Sequence, residues 1–215
     1  MAIPTLSICI VNHRTPELTR ACIESIVQTQ GDLQLEVLVL NNTPDAWGPV
    51  QEIMAGHPEW VLIQNEEPHS FAVNQNKLLR RSRGRYLMPL NSDTVITAGA
   101  LAALINFMDA HPRCAIAGPR LVHGDGSLQP SQRNFPTPLT HFLEASGLWQ
   151  LLRSNRLIGR YYYLCDPHTR TQPTDWLTGA CYIVRAEAAR QTGYFDDQHF
   201  TGMYAEDLDW CWRIA

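Results

Sequence analysis

The sequence lacks the features that mark nucleic-acid binders, membrane-spanning proteins and P-loop enzymes. Its formal net charge is −4, whereas binding to a phosphate backbone favours a basic surface, so we expect no nucleic-acid partner. No secretory signal is visible, and no apolar run approaches the roughly 20 residues of a membrane helix. Neither a Gly-x-Gly-x-x-Gly after the first predicted strand nor a Gly-Lys-Ser/Thr loop is present, which excludes the usual dinucleotide and P-loop motifs.

The six cysteines form no Cys-x-x-Cys pair and have no histidines at zinc-ligand spacing. Several lie inside apolar runs, so we expect buried, reduced thiols and a cytoplasmic protein. The 215 residues are 45% hydrophobic and 18% charged, a composition typical of a soluble globular protein. We therefore expect a single domain over residues 1–215.

Short apolar runs alternate with helical periodicity along the chain. Strands are predicted at 6–11, 35–40, 60–64, 85–90, 115–122 and 180–184, and a hairpin turn at Asp125-Gly126. Helices are predicted from Pro16, with Thr15 as a cap, and at 50–55, 71–82 and 98–110. This alternation predicts an α/β fold with a mostly parallel, doubly wound, Rossmann-like sheet flanked by helices.

Residues 134–174 interrupt this alternation and are predicted to be an insertion that covers one side of the site. Leu139, Phe142, Leu143 and Trp149 fall on roughly one helical face, and Tyr161–Tyr163 form an aromatic cluster. Such a face suits a membrane surface, but packing against the sheet explains the same pattern.

Polar side chains end three strands of the predicted sheet. Asn12, Asn41 and Asp93 each follow an apolar run, and ligands of α/β sheets bind outside the carboxyl ends of strands. By itself Asn91-Ser92-Asp93 is typical of an Asx turn. Together, the three strand ends favour a nucleotide crevice, in which a carboxylate could hold a divalent cation that grips a diphosphate.

A second acidic pair, Glu206-Asp207, opens an aromatic segment near the end of the chain. Acidic residues at a helix start complement the helix dipole without any function. If the pair faced the crevice, a carboxylate there could remove a proton from an incoming hydroxyl. The two acidic tips together suggest transfer of a group from a nucleotide diphosphate.

Two further features have both a structural and a functional interpretation. Trp176 precedes Gly179, a residue that permits close approach of the backbone, although core packing explains the pair equally well. The basic run at 77–85 is typical of a solvated face, and the alternative is contact with an anionic membrane.

From Ser7 to its last residue the chain resembles the inverting family 2 glycosyltransferases of the GT-A fold, particularly the bacterial rhamnosyltransferase-like branch. Five segments carry the resemblance: Ser-Phe-Ala-Val-Asn-Gln-Asn at 70–76, and the segments 83–94, 118–131, 176–181 and 206–213. Each segment is weak alone, but all five occur in the family's order.

The resemblance implies a GT-A type sheet and a set of site residues. Residues expected to contact the nucleotide sugar are Asn12, Asn41, Phe71, Asn76, Asn91, Ser92, Asp93, Trp176 and Gly179. Asp93 matches the ligand of a divalent cation, Mg²⁺ or Mn²⁺. Asp207 matches the catalytic base, with Glu206 beside it.

The activity so implied is transfer of a sugar, with inversion, from a dTDP- or UDP-linked donor to a saccharide or lipid-linked acceptor. Its setting would be bacterial cell-envelope polysaccharide or glycolipid synthesis, in the cytoplasm and peripherally at the inner face of the membrane. Asn41 and Asn91 stand where the family commonly has aspartates, and the chain stops inside the helix that Glu206 begins, so we expect a truncated C-terminus.

Two other interpretations stay open at this point. One is a non-catalytic or incomplete fragment that binds a sugar nucleotide, favoured by Asn91 and the early end of the chain. The other is a nucleotidyltransferase, which would show a glycine-rich loop after the first strand, where this chain has Asn12-His13-Arg14-Thr15-Pro16.

Overall fold

A central six-stranded sheet organises the protein, whose computed structural model describes residues 3–43, 48–148, 168–202 and 205–215. The strands are β1 (Leu6–Asn12), β2 (Leu35–Asn41), β3 (Val61–Gln64), β4 (Tyr86–Asn91), β5 (Ile116–Ala117) and β10 (Ile183–Arg185). They lie in the order β3-β2-β1-β4-β10-β5. The four strands β1, β2, β3 and β4 run parallel to one another. β10 runs antiparallel to its neighbours β4 and β5. The predicted α/β fold with a mostly parallel sheet is confirmed.

Helices cover both faces of this sheet. They are α1 (Pro16–Thr29), α2 (Gly48–Ala55), α3 (Phe71–Leu79), α4 (Ala100–Ala110), α5 (Pro138–Ala145), α6 (Ala186–Thr192) and α7 (Glu206–Ile214). Successive strand residues point to opposite faces, so Ile8 and Ile10 join the apolar cluster under α1 and α4, while Cys9 joins the one under α3 and α7. A sheet covered on both faces explains why its strands are continuous apolar runs. Within the described ranges, every helix is too short or too polar to cross a bilayer.

The prediction of one strand at 115–122 is wrong. The segment forms β5 and a separate strand β6 (Leu121–Val122), because Gly118-Pro119 lies between them. Pro119 has no N–H to donate to a ladder, and an added Cβ at Gly118 would lie 3.0 Å from a Leu177 methyl group. β6 pairs with β7 (Leu128–Gln129) across the Asp125-Gly126 turn, where Gly126 has φ 82°, so the predicted hairpin is confirmed.

A two-stranded ribbon joins the two ends of the predicted insertion. β8 (Gln132–Arg133) pairs antiparallel with β9 (Trp176–Leu177), so the chain leaves and returns at neighbouring points. Between them, α5 exposes 55% of Leu139 and 61% of Phe142. Trp149 and Tyr161–Tyr163 lie outside the described residues, so the insertion and the single-domain division stay predictions.

A buried carboxylate, that of Glu36, links the amino ends of β1, β2 and β4 by hydrogen bonds. Glu36 accepts hydrogen bonds from the Ser7 hydroxyl (2.6 Å), the Arg83 backbone N–H (2.9 Å) and the Arg83 guanidinium (2.7 Å). The Ser7 hydroxyl in turn accepts the N–H of Gly84 at 2.8 Å. This contact brings two backbone segments so close that an added Cβ on Gly84 would lie 2.6 Å from the Ser7 nitrogen.

We predict that Gly84→Ala destabilises the protein by about 2–3 kcal/mol, the upper range for overpacking, since the clash is with backbone. Urea denaturation would measure the change in the free energy of unfolding. Gly124→Ala is the matched control, because no atom lies within 4 Å of a Cβ added there and Gly124 is not in the left-handed region. Equal stability of the Gly84 variant and wild type would contradict the close approach.

Candidate functional site

Strand register brings three of the predicted polar residues to one edge of the sheet. Asn12 pairs with Asn41 at the ends of β1 and β2, and Val11 pairs with Asn91 at the end of β4. The prediction that these strand ends are neighbours is therefore confirmed. The side chains nevertheless have different surroundings, and this decides which of them can contact a ligand directly.

Asn12 and Asn41 lie beneath the edge, fully buried. The Asn12 amide donates to Asn41 Oδ1 at 2.8 Å, and the Asn41 amide donates to Gln64 Oε1 at 2.9 Å. Asn12 Oδ1 accepts the Thr15 N–H (3.2 Å) and the Thr19 hydroxyl (3.0 Å). These bonds satisfy both amides within the protein, so the two residues form the floor of the site, and their predicted contact with a nucleotide remains untested.

Thr15 occupies the N-cap position of α1, as predicted. Its side chain, however, makes no capping bond to the helix. Its hydroxyl instead lies 3.3 Å from the Ser92 hydroxyl, while Asn12 Oδ1 takes the Thr15 N–H. Arg14, in the loop between, has φ 61°, a left-handed conformation that is unusual for a residue with a side chain. Such strain is often found at ligand-binding loops.

A cleft of about 610 Å³ opens above this floor. Four predicted residues line it: Phe71, Asn91, Ser92 and Asp93. The cleft is also lined by four residues that were not predicted: His13, Asn42, His69 and Asn74. Proximity to the ends of β1 and β2 was a signal for His13 and Asn42, and Asn74 lies in the 70–76 segment that carries the family resemblance, whereas nothing local marked His69.

An asparagine network holds the wall of the cleft beside α3. Asn42 Oδ1 accepts the His69 N–H (2.8 Å) and an Asn65 amide N–H (2.9 Å). Asn65 also donates to Asn74 Oδ1 at 2.7 Å and accepts from Lys77 at 2.9 Å. Because Asn42, Asn65 and Asn74 are all buried, these bonds fix the loop that carries His69.

Asn76 does not line the cleft. It is fully buried, and its amide donates to the Phe195 carbonyl (2.8 Å) and to Asp197 (2.9 Å). Its oxygen accepts the Phe195 N–H at 3.1 Å, and Phe195 packs edge-on against Phe71 with ring centroids 6.1 Å apart. Asn76 thus fixes the loop behind Phe71, and its predicted nucleotide contact has no direct support.

Asp93 is exposed at the lip of the cleft. No group of three or more His, Cys, Asp or Glu that could enclose a metal occurs among the described residues. Mg²⁺ commonly binds through one or two carboxylates together with substrate phosphates and waters. One exposed carboxylate facing a cleft of nucleotide size fits a cation site that the donor's phosphates complete, but not a cage made by the protein alone.

Asp207 lies half-buried in the first turn of α7. Its Oδ2 accepts the Gly179 N–H and its Oδ1 accepts the Leu208 N–H, both at 2.8 Å. Burial raises the pKa of Asp207 above its ordinary value, while these N–H groups and the charge of Arg133 act in the opposite direction. A raised pKa makes the carboxylate a stronger base, as proton abstraction requires. Glu206, its neighbour, is 8% exposed and faces the interior.

Residues 178–181, which we call the strap, connect Asp207 with the cleft. The Ala180 carbonyl accepts the Asn91 N–H at 3.0 Å, and the Gly179 N–H, two peptide groups earlier, donates to Asp207. Leu90 and Cys181 form an isolated antiparallel bridge beside them. The segments that contain Asp93 and Asp207 therefore lie on opposite sides of the strap.

Trp176 and Gly179 were also predicted to belong to the site, and they lie in β9 and in the strap. Trp176 is half-buried and donates its indole N–H to the Asn134 carbonyl at 2.9 Å. An added Cβ on Gly179 would lie 3.5 Å from Asp207 Oδ2, an ordinary van der Waals contact. Neither residue lines the cleft beside Asp93, so their predicted contacts with the donor remain untested.

Comparison with known proteins gives a family match over most of the chain. The family model described as glycosyl transferase family 2 matches residues 7–189. Two curated relatives, from two strains of Mycobacterium tuberculosis, are N-acetylglucosaminyl-diphospho-decaprenol L-rhamnosyltransferases. Each is 31% identical over 132 residues, which cover 58% of this chain and 39% of the relative. The chain thus matches well under half the length of these relatives.

Solved structures share the fold at low sequence identity. A mannosyltransferase from Pyrobaculum calidifontis, in complex with GDP-Man and Mn²⁺, has TM-score 0.63 and 16% identity, covering 100% of this chain and 53% of that one. S. aureus TarS 1–349 has TM-score 0.62 and 16% identity over 98% of this chain and 55% of that one. GalNAc-T7 with UDP, GalNAc and Mn²⁺ has TM-score 0.68 and 13% identity over 99% of this chain and 40% of that one.

Proposed function

Because the chain belongs to glycosyl transferase family 2, we propose that it moves a sugar, with inversion, from a nucleotide-diphosphate donor to an acceptor hydroxyl. The observation that carries this proposal is the strap, whose Ala180 carbonyl binds Asn91 at the lip of the cleft and whose Gly179 N–H binds Asp207. A cleft of nucleotide size therefore has the Asp93 carboxylate at its lip. The candidate base, Asp207, lies on the other side of the strap. The nucleotidyltransferase alternative is not retained, since the family match spans the sheet and the cleft residues.

Donor binding would use the carboxyl edge of the sheet. Phe71 and the loop at His69 would pack against the nucleoside, and Asn91, Ser92 and Asp93 would face the diphosphate. A divalent cation held by Asp93 would neutralise negative charge on the leaving diphosphate. The donor is proposed to be dTDP- or UDP-linked. The neutral floor formed by Asn12, Asn41 and Gln64 would support it from below.

Asp207 would be the general base of a single displacement. It accepts the proton of the acceptor hydroxyl as that oxygen attacks the anomeric carbon from the face opposite the diphosphate. Its Gly179 hydrogen bond would hold the carboxylate in a fixed orientation. Glu206 would complete the acidic pair from its buried position.

The acceptor is proposed to be a saccharide on a lipid carrier, in cell-envelope polysaccharide or glycolipid synthesis. This rests on the M. tuberculosis relatives, which are named as rhamnosyltransferases for N-acetylglucosaminyl-diphospho-decaprenol. Peripheral membrane contact would come from α5, where Leu139 and Phe142 are exposed. The basic run is a weaker candidate, because Arg80, Arg83 and Arg85 pair with Asp197, Glu36 and Asp109.

We predict that Asp93→Ala removes the part of nucleotide affinity that depends on a divalent cation. Calorimetry with UDP and dTDP, with and without Mn²⁺, should show a gain of about tenfold or more from Mn²⁺ in wild type and none in the variant. Asp32→Asn, an exposed aspartate in the turn before β2, is the matched control. Equal affinities for wild type and the Asp93 variant under both conditions would remove the metal role.

We predict that Asp207→Asn lowers turnover by about 10²–10⁴-fold, the usual contribution of general acid–base catalysis, with nucleotide affinity within a few-fold of wild type. The assay would follow transfer or hydrolysis of a panel of nucleotide sugars with Mn²⁺. The wild-type rate should fall as pH drops through the pKa of Asp207, and the fall should begin above the range of an ordinary aspartate because that pKa is raised. Unchanged turnover in the variant would assign the base elsewhere, with Glu206 the next candidate.

We predict that the protein floats with vesicles of anionic lipid and that Leu139→Ser combined with Phe142→Ser reduces the bound fraction several-fold. The reason is loss of apolar area on α5, at about 25 cal/mol per Å². Leu62→Ser, at 37% exposure on β3, serves as the comparison variant. A protein that stays in the soluble fraction, with or without these substitutions, would leave α5 without a membrane role.

A further inference from the structure

A second cavity, which we call the side cavity, opens beside β5, the edge strand of the sheet. Its volume is about 590 Å³, within the range of small-molecule sites. It shares no lining residue with the cleft at Asp93. Its apolar wall comes from α4, β5 and β9 and includes Ala103, Leu104, Phe107, Ile116, Trp176 and Leu177.

Several apolar side chains of this wall remain half-buried. Phe107 and Ile116 pack against the two core clusters, yet both keep part of their surface open to solvent. Trp176, which the sequence analysis assigned to the site, is half-buried as well, and it lines the side cavity instead of the cleft. Open apolar surface inside a concave site is typical of a place where a ligand binds.

The side cavity also has an excess of positive charge. Arg120 and Arg170 line it, and both are exposed, so their charges lie at its opening. Within the described ranges, neither guanidinium forms an ion pair or a hydrogen bond. Asp175 is the only carboxylate among the described residues of the wall, and its Oδ2 accepts the Phe135 N–H at 2.7 Å. Two arginines without partners suit a phosphate group, which guanidinium ions bind with good geometry.

The side cavity adjoins the elements that hold Asp207. Cys211 lines it from α7 and follows Asp207 by four residues, so the two side chains lie on the same face of that helix. Leu177 lines it from β9 and directly precedes the strap, whose Gly179 N–H binds Asp207. A ligand in the side cavity therefore lies beside the helix and the segment that position the candidate base.

We propose that the side cavity binds the isoprenoid diphosphate that carries the acceptor sugar. The hydrocarbon chain packs against the wall formed by α4, β5 and β9, and the diphosphate binds Arg120 and Arg170. A ligand that joins hydrocarbon to phosphate matches an apolar wall with cations at its opening. The inference rests on the proposed function, since it assigns a place to the carrier part of the proposed acceptor.

Calorimetry with soluble probes, in metal-free buffer without nucleotide, tests the proposal. The probes are farnesyl diphosphate, geranyl diphosphate, inorganic diphosphate and dioctanoyl phosphatidic acid. Omitting the metal prevents a diphosphate from binding through a cation at Asp93. We expect farnesyl diphosphate to bind about tenfold or more tightly than geranyl diphosphate, because it buries one further isoprene unit. Inorganic diphosphate should bind most weakly, and phosphatidic acid should bind more weakly than farnesyl diphosphate.

Substitutions in the side cavity locate the binding. Arg120→Gln and Arg170→Gln should each weaken farnesyl diphosphate by about tenfold, as loss of a charge-assisted hydrogen bond does. Ala103→Trp should weaken it by about tenfold or more, because an indole on α4 would occupy the space of the chain. Ala103 is exposed, so this change does not overpack the core.

Matched controls separate recognition from folding. Arg190→Gln and Ala110→Trp change exposed residues of α6 and α4 that do not line the side cavity, and both should bind the probes as wild type does. Near-UV circular dichroism shows whether each variant keeps its packing. If an arginine variant does not fold, Ala103→Trp decides.

Each result has a distinct meaning. Farnesyl diphosphate that binds no more tightly than inorganic diphosphate, or that binds the cavity variants as it binds wild type, overturns the site. Phosphatidic acid that binds as tightly, through the same residues, assigns the cavity to membrane phospholipid and overturns the carrier. Affinity that grows with chain length and is lost in the cavity variants supports the proposal. UDP with Mn²⁺ is measured separately, so failure to bind nucleotide overturns the proposed donor function and leaves the side cavity as a site.

Discussion

Two backbone groups of the strap, one residue apart, hold the segments that contain Asp93 and Asp207 in a fixed relation. The Ala180 carbonyl accepts the N–H of Asn91, and the Gly179 N–H donates to Asp207. The Thr94 hydroxyl also donates to the Ala180 carbonyl, at 3.4 Å. The Cys181 bridge to Leu90 and the Ser131 bond to Thr178 then anchor the strap at its two ends. These contacts help to set the position of α7 relative to β4.

Polar residues at the carboxyl edge divide into two classes. Asn12 and Asn41 are buried and bonded to each other, so they give the edge its shape. Asn91 and Asp93 stand at the lip and line the cleft. The floor carries no charge, because both of its side chains are amides. The negative charge at this lip therefore comes from Asp93, opposite the imidazoles of the two histidines that line the cleft.

The sequence allowed prediction of the sheet because β1, β2 and β4 are mostly apolar and buried on both faces, and because each ends in a polar residue. It did not reveal which polar residues face a ligand, since Asn12 and Asn76 satisfy their amides with partners up to 121 residues away. The strands β7, β8 and β9 have two residues each, too few for a periodic pattern.

Four buried cysteines share one chemical property that bears on handling of the protein. Burial raises the pKa of Cys9, Cys22, Cys181 and Cys211 to about 12, so almost no thiolate exists at neutral pH. Alkylating reagents attack thiolates, which makes these residues inert while the fold is intact. Cys181 lies in the strap, so its alkylation reports the moments when that segment separates from β4. The rate of Cys181 alkylation would therefore measure how often the strap separates from the lip of the cleft.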